Sequence, residues 1–127
     1  MTSAPPQSVL IVDDERAIRY FLSELLSDFG FDCVEATDGQ QALQAMDSRD
    51  FDLMMLDIRM PGMNGLELLR QVRERGLRTR VVMLTAMGDP DVAARAITSL
   101  GADAYVGKPC TLDELKRTID NVYERTA

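Results

Sequence analysis

The sequence predicts an α/β fold, a doubly wound parallel sheet of five strands alternating with five helices in (βα)5 order. Three observations predict it. Apolar runs of strand length recur at intervals of roughly 20 to 30 residues. Between them, apolar residues return at helical spacing. The runs stop abruptly on polar residues and turn signals, as strands do where the carboxyl edge of an open sheet borders a ligand crevice.

Met1–Gln7 holds small residues and proline with nothing to bury, and is expected to be a loose leader before a single domain over residues 8–125. Val9-Leu10-Ile11-Val12 is the first buried strand and stops on Asp13-Asp14. Ile18, Phe21, Leu22, Leu25, Leu26 and Phe29 then mark the first helix, with Gly30 placed to end it. A short second strand, about Asp32 to Ala36, runs into Thr37-Asp38-Gly39-Gln40. There Thr37 and Gln40 have capping-box spacing for a helix through Ala42, Leu43 and Met46 that ends near Ser48. Leu53-Met54-Met55-Leu56 is apolar throughout, as in a strand buried on both faces, and it ends on Asp57 before the turn Ile58-Arg59-Met60-Pro61-Gly62-Met63-Asn64-Gly65.

Asn64 can cap the third helix, which buries Leu66, Leu69 and Val72 and meets a stop signal at Gly76. The unit then repeats. Arg80 opens the strand Val81-Val82-Met83-Leu84, which ends on Thr85. Asp89 and Pro90 supply a cap and a first-turn proline for a helix that buries Val92, Ala96, Ile97 and Leu100 and stops at Gly101. The fifth strand, Ala104-Tyr105-Val106, ends at Gly107-Lys108-Pro109. Thr111 and Glu114 form another capping-box pattern, for a last helix through Leu115, Ile119 and Val122. No output domain is expected within these residues.

Composition narrows the function. The net charge of −7, without a block of like charges, argues against this chain gripping nucleic acid or an anionic membrane. No apolar run approaches the roughly 20 residues of a membrane span, and the first residues lack the pattern of a signal peptide, so a cytoplasmic location is expected. Cys33 and Cys110 have no Cys or His neighbours at metal spacing and read as free thiols. Histidine is absent. Histidine acid/base catalysis, His-ligated zinc and a phosphohistidine within the chain are therefore excluded, and any such group must come from a partner.

The strand ends carry the chemistry. In strand order 2-1-3-4-5 the second strand lies at an edge, and the others bring Asp13-Asp14, Asp57, Thr85 and Lys108 around one crevice. Carboxylates about 6 Å apart at an effective dielectric of about 20 repel by roughly 3 kcal/mol per pair, so three together need a counterion. With the ammonium of Lys108 present, one divalent ion balances them, and all-oxygen ligation suits Mg²⁺ or Mn²⁺. Mg²⁺ keeps positions open for phosphate oxygens, so the crevice suits a phosphoryl group.

At this point the residues resemble a known family. Asp13-Asp14, Asp57 before Met60-Pro61-Gly62-Met63-Asn64-Gly65, Thr85-Ala86 and Gly107-Lys108-Pro109 are similar to the motifs of receiver domains of bacterial two-component response regulators, from about Ser8 to Tyr123. The resemblance implies the flavodoxin-like receiver fold and a signalling switch, not a metabolic enzyme, that catalyses its own phosphorylation and dephosphorylation. Asp57 would accept a phosphoryl group from a sensor histidine kinase or a histidine phosphotransfer protein. Asp14, Asp57 and the backbone carbonyl of Arg59 would hold Mg²⁺, with Asp13 acting mostly through water. Lys108 and Thr85 would contact the phosphoryl oxygens, and Tyr105 would turn inward as Thr85 moves. The Lys108–Pro109 peptide would be cis. The fourth helix, fifth strand and fifth helix would then present a changed face to a partner or output domain, with the chain a monomer or a phosphorylation-promoted dimer. Arg59 and Met87 would flank the phosphoryl group. Cys110 departs from the bulky apolar residue that many relatives carry after the Lys-Pro pair.

Other readings stand beside this one. Asp13 and Asp14 also suit first-turn acids of a helix, Asp57 a turn residue, Tyr105 a packed strand aromatic, and Arg16, Arg19 and Tyr20 a solvated helix face. A haloacid-dehalogenase-type phosphatase would need an acid where Arg59 stands. A flavin- or dinucleotide-binding module would need a glycine-rich first loop in place of Asp13-Asp14. A receiver-like module that is never phosphorylated would be marked by loss of Asp57, Lys108 or an acid, and all are present.

Overall fold

The computed structural model describes residues 7–60, 62–86, 90–108 and 110–126. The expectations placed on the leader before Gln7, on Pro61, on Met87, on the Asp89 cap, on the side chain of Val92 and on the Lys108–Pro109 peptide lie outside the described residues.

Five strands and five helices alternate: β1 Ser8–Val12, α1 Arg16–Asp28, β2 Asp32–Ala36, α2 Gly39–Ser48, β3 Leu53–Asp57, α3 Gly65–Glu74, β4 Arg80–Ala86, α4 Pro90–Leu100, β5 Ala104–Lys108 and α5 Leu112–Thr126. The strands form one sheet in the order β2-β1-β3-β4-β5, every pair parallel, as the sequence predicts. β3 is central and buried along its whole length, which is why its apolar run shows no alternation.

Alternation decides which layer each strand residue enters. Leu10, Val12, Met54, Leu56, Val81 and Met83 point to one face and pack with Ala42, Leu68, Leu69, Val72 and Ala96 of α2, α3 and α4. Val9, Ile11, Leu53, Met55, Val82, Leu84 and Val106 point to the other and pack with Leu22, Leu26, Leu115, Ile119 and Val122 of α1 and α5. A fully buried Leu, Ile or Met contributes about 1.5–3 kcal/mol relative to exposure, so slipping one strand by one residue would forfeit several such terms at once. That penalty holds the strand ends, and therefore the polar residues just beyond them, in register.

Several local expectations shift. The first turn of α2 is capped by Asp38, whose side chain accepts from the Gln41 N–H at 2.9 Å, while Gln41 Oε1 accepts from the Thr37 N–H. The predicted pair of Thr37 and Gln40 is thus displaced by one residue, because it is Asp38 whose carboxylate reaches an orphan donor of the first turn. Asn64 and Thr111 act as expected, accepting from the N–H of Glu67 and Glu114. In α1, Phe21 is 41% exposed although its spacing reads as core; Leu22 and Leu26 are the buried pair. In α3, Leu68 is fully buried and Leu66 only partly so. Gly30, Gly76 and Gly101 all have positive φ at the ends of α1, α3 and α4, the conformation that lets the chain leave a helix.

Candidate functional site

β1 and β3 are hydrogen-bonded neighbours, so the residues that end them share the carboxyl edge of the sheet. Asp13 is held one step beyond β1 by its N–H, which donates to the Ala36 carbonyl at 3.2 Å. Its buried carboxylate accepts from the Glu15 N–H at 2.8 Å. Glu15 is the N-cap of α1 and no side chain caps that helix, so Asp13 braces the turn rather than the helix end. Asp14 is exposed beside it.

Asp57 is the last residue of β3 and is 3% exposed. The chain after it is gripped by main-chain bonds: Ile58 N–H donates to the Leu84 carbonyl at 3.1 Å and Gly65 N–H to the Ile58 carbonyl at 2.8 Å. Any side chain at Gly65 would place its Cβ 2.1 Å from the Asp57 carbonyl oxygen. Glycine is required there because the start of α3 is laid directly against the backbone that carries the acid. Arg59 N–H donates to Asp57 Oδ1 at 3.3 Å.

Lys108 ends β5, two strands away from β3, and crosses the edge to the acids. Its Nζ lies 2.9 Å from Asp13 Oδ2, 3.3 Å from Asp57 Oδ1 and 3.4 Å from Glu15 Oε1. Asp13, Asp14 and Asp57 each offer a carboxylate oxygen, and these lie within 4.8 Å of one another. That is tighter than the separation assumed from the sequence, and repulsion rises with it. Burial first, and then the charge of Asp13, push the Asp57 carboxyl up to about 6 against the pull of Lys108. Burial works to lower the pKa of Lys108, but its hydrogen bonds and charge contacts with Asp13 and Asp57 outweigh this and raise it. One ammonium among three carboxylates leaves two negative charges unanswered. The donor set therefore fits a hard divalent cation, the ligand class expected from the sequence.

A cavity of about 170 Å³ opens at this edge, lined by Glu15, Asp57, Ile58, Arg59, Ala86 and Lys108. Thr85 is buried, and its hydroxyl donates to the Ala86 carbonyl at 3.3 Å rather than to a carboxylate. Tyr105 stands apart, 46% exposed, in a groove between β5, α4 and α5 that Ile97 and Glu124 also line. The structure thus joins Asp13, Asp14, Asp57 and Lys108, sets Arg59 beside them, and leaves the Thr85 hydroxyl and Tyr105 outside the cluster.

Two residues at this edge have a different standing from the one read in the sequence. Arg19 is not a solvated face residue: its side chain is 12% exposed, its Nη1 donates to the Asp13 carbonyl at 2.8 Å and its Nε to Glu35 Oε1 at 3.2 Å. Glu15 carried no expectation, yet its carboxylate shares Lys108. Helical spacing alone shows a polar face on α1; the cross-strand partner Glu35, which sits opposite Ile11 in the β1–β2 register, is what turns Arg19 inward.

A doubly wound parallel sheet with buried carboxylates and a lysine converging at the strand 1–strand 3 switch point defines a class of acid-edged α/β domains. Within that class, residues 9–120 match the family model for the response regulator receiver domain, and the chain belongs to that family. It is 42% identical over 120 residues to the chemotaxis protein CheY of Pseudomonas aeruginosa, covering 92% of this chain and 96% of that protein. It is 37% identical over 121 residues to the DNA-binding transcriptional regulator NtrC of Escherichia coli, where 92% of this chain spans only 26% of the relative. The solved receiver domain of NtrX from Brucella abortus superposes with a TM-score of 0.86 at 34% identity, covering 91% of this chain and 98% of that one.

Proposed function

We propose that this receiver domain takes a phosphoryl group onto Asp57 from the phosphohistidine of a sensor histidine kinase or histidine phosphotransfer protein in the cytoplasm. The observation that carries this reading is the buried carboxylate of Asp57, held beside Asp13 and Lys108 at the wall of a small open cavity. One ionised oxygen of Asp57 attacks phosphorus, the phosphorus–nitrogen bond breaks, and the imidazole leaves with its electron pair. The chain supplies no histidine, so the donor must be a partner.

Asp14, Asp57 and the Arg59 carbonyl would hold Mg²⁺ or Mn²⁺, with Asp13 bound mostly through water. When bound, the ion offsets the repulsion between carboxylates and phosphoryl oxygens. Lys108 passes from its carboxylate partners to a phosphoryl oxygen. Thr85 turns its hydroxyl from the Ala86 carbonyl to another. Hydrogen bonds to charged groups contribute roughly 1.5–3 kcal/mol each, against about 5.5 kcal/mol to carry a two-state equilibrium from 1:99 to 99:1, so these two contacts supply most of a switch. Tyr105 is then drawn into the space that Thr85 vacates, and the α4–β5–α5 face signals to a partner or output domain, as a monomer or as a phosphorylation-promoted dimer. Later attack of water on the acyl phosphate resets the domain. The chain itself contacts neither nucleic acid nor membrane in this scheme.

The test is intact mass after incubation with a small phosphodonor, with and without Mg²⁺, for the wild type and Asp57→Asn. Mg²⁺-dependent gain of one phosphoryl group, absent in the variant, is the expected result. No gain in the wild type would favour an interaction module that works unphosphorylated.

A further inference from the structure

Glu15 has no part in the reaction just described, yet it stands at its entrance. Its Oε1 lies 3.4 Å from Lys108 Nζ, and it lines the cavity that opens onto Asp57. Of the lining side chains, Glu15 and Asp57 are acids and Arg59 and Lys108 are cations. Removing the charge of Glu15 would tip that balance towards anions and leave Lys108 to Asp13 and Asp57 alone. The Glu15 side chain is 61% exposed, so its field acts on an approaching donor through water and is open to screening by salt.

We propose that Glu15 is a specificity-determining residue, which screens phosphodonors by charge at the mouth of the Asp57 cavity and shares Lys108 until a phosphoryl group displaces it. The proposal rests on Asp57 being the phosphoacceptor. A small anionic donor has little besides its charges with which to bind, so one repulsive carboxylate lowers its productive encounters. A donor carried on a docked protein gains contact area elsewhere and is far less affected. Glu15 thereby favours a protein-borne phosphohistidine over free acyl phosphates.

The experiment compares the apparent second-order rate constants for phosphoryl uptake, in Mg²⁺, from acetyl phosphate and from phosphoramidate, which carries one negative charge fewer. The wild type, Glu15→Gln and Glu15→Asp are each measured at low and high salt. For Glu15→Gln, uptake from acetyl phosphate is expected to rise roughly three- to tenfold at low salt, with a clearly smaller rise for phosphoramidate and a loss of the advantage at high salt. Glu15→Asp is expected to behave as the wild type. An equal rise for both donors, a rise unaffected by salt, or no rise at all would overturn the proposal while leaving Asp57 as the acceptor. If the wild type takes up phosphoryl from neither donor, both readings fall together.

Discussion

Each end of the sheet brings a cation to a carboxylate, and the two ends differ in how fully those charges are answered. At the amino edge, Arg73 of α3 donates from Nη1 to the carbonyls of Thr79 at 2.7 Å and Leu77 at 3.1 Å, from Nε to that of Gly101 at 3.0 Å, and from Nη2 to Asp103 Oδ2 at 3.2 Å. Asp103 accepts in turn from the Val81 N–H at 2.8 Å. Arg73 meets the Asp103 carboxylate, and every nitrogen of its guanidinium has an acceptor. At the carboxyl edge, Lys108 is divided among Asp13, Asp57 and Glu15, with Asp14 beside them. The first arrangement fixes a shape by tying α3 to the segment before β5. The second holds like charges together at a cost that a cation can relieve. A satisfied polar network is a structural feature, and an unbalanced one of similar burial is a place for a ligand.

The contrast can be broken most severely at Asp57. Asp57→Asn is expected to abolish phosphoryl uptake altogether, read by intact mass; uptake at an undiminished rate would move the acceptor elsewhere. Next comes Gly65→Ala, whose methyl meets the Asp57 main chain. A loss of about 3 kcal/mol in urea unfolding is expected from such overpacking, with impaired uptake because the backbone under the acid must shift. Arg73→Met probes the satisfied end. It should cost about 2–3 kcal/mol, since it takes a charged donor from Asp103 and strands three carbonyls, yet leave Mg²⁺ binding nearly intact. Equal losses of stability and Mg²⁺ affinity would mean that the two ends are not independent.

The opposite sign is expected for the stability of Asp57→Asn. Because the folded state raises this carboxyl from 3.8 to about 6, the native protein holds the proton more tightly than the unfolded chain does. Ionisation therefore costs stability, fully above pH 6 and not at all below about 4. The variant should be more stable than the wild type by about 1–3 kcal/mol at pH 8, with the advantage fading as the pH falls towards 4. A variant less stable at pH 8 would show that Lys108 depends on Asp57 more than Asp57 suffers from Asp13. The smallest effect is that of the ion. Mg²⁺ at ten times its dissociation constant should stabilise the wild type by about 1.4 kcal/mol in thermal melts, and Asp14→Asn should lose most of this.

The strands and the ends of most helices were legible because their causes are local. An apolar run of four residues, a capping Asn or a terminating Gly acts within a few positions, and β2 and β3 lie where the sequence places them. The cap of α2 is Asp38, one place beyond Thr37, because backbone geometry decides which of two adjacent polar residues caps the helix. Helical spacing marks a face of α1 without saying how far the neighbouring elements cover it; they cover Leu22 and leave Phe21 at the rim. Arg19 was misread for the converse reason, since its two acceptors belong to a turn and to a neighbouring strand.

The sequence by itself determined the alternating fold and the identity of the acids, the hydroxyl and the lysine that end the strands. Those follow from the periodicity of apolar residues and from the residue types that stop each run, which are properties of short stretches. Only the tertiary structure decided how the charges are shared: that Lys108 pairs with Asp13 across 95 positions of chain, that Glu15 competes for the same ammonium, and that Gly65 must press against the Asp57 backbone. Coulomb energy and steric contact depend on distance in space, and that distance is set by the packed sheet rather than by order along the chain.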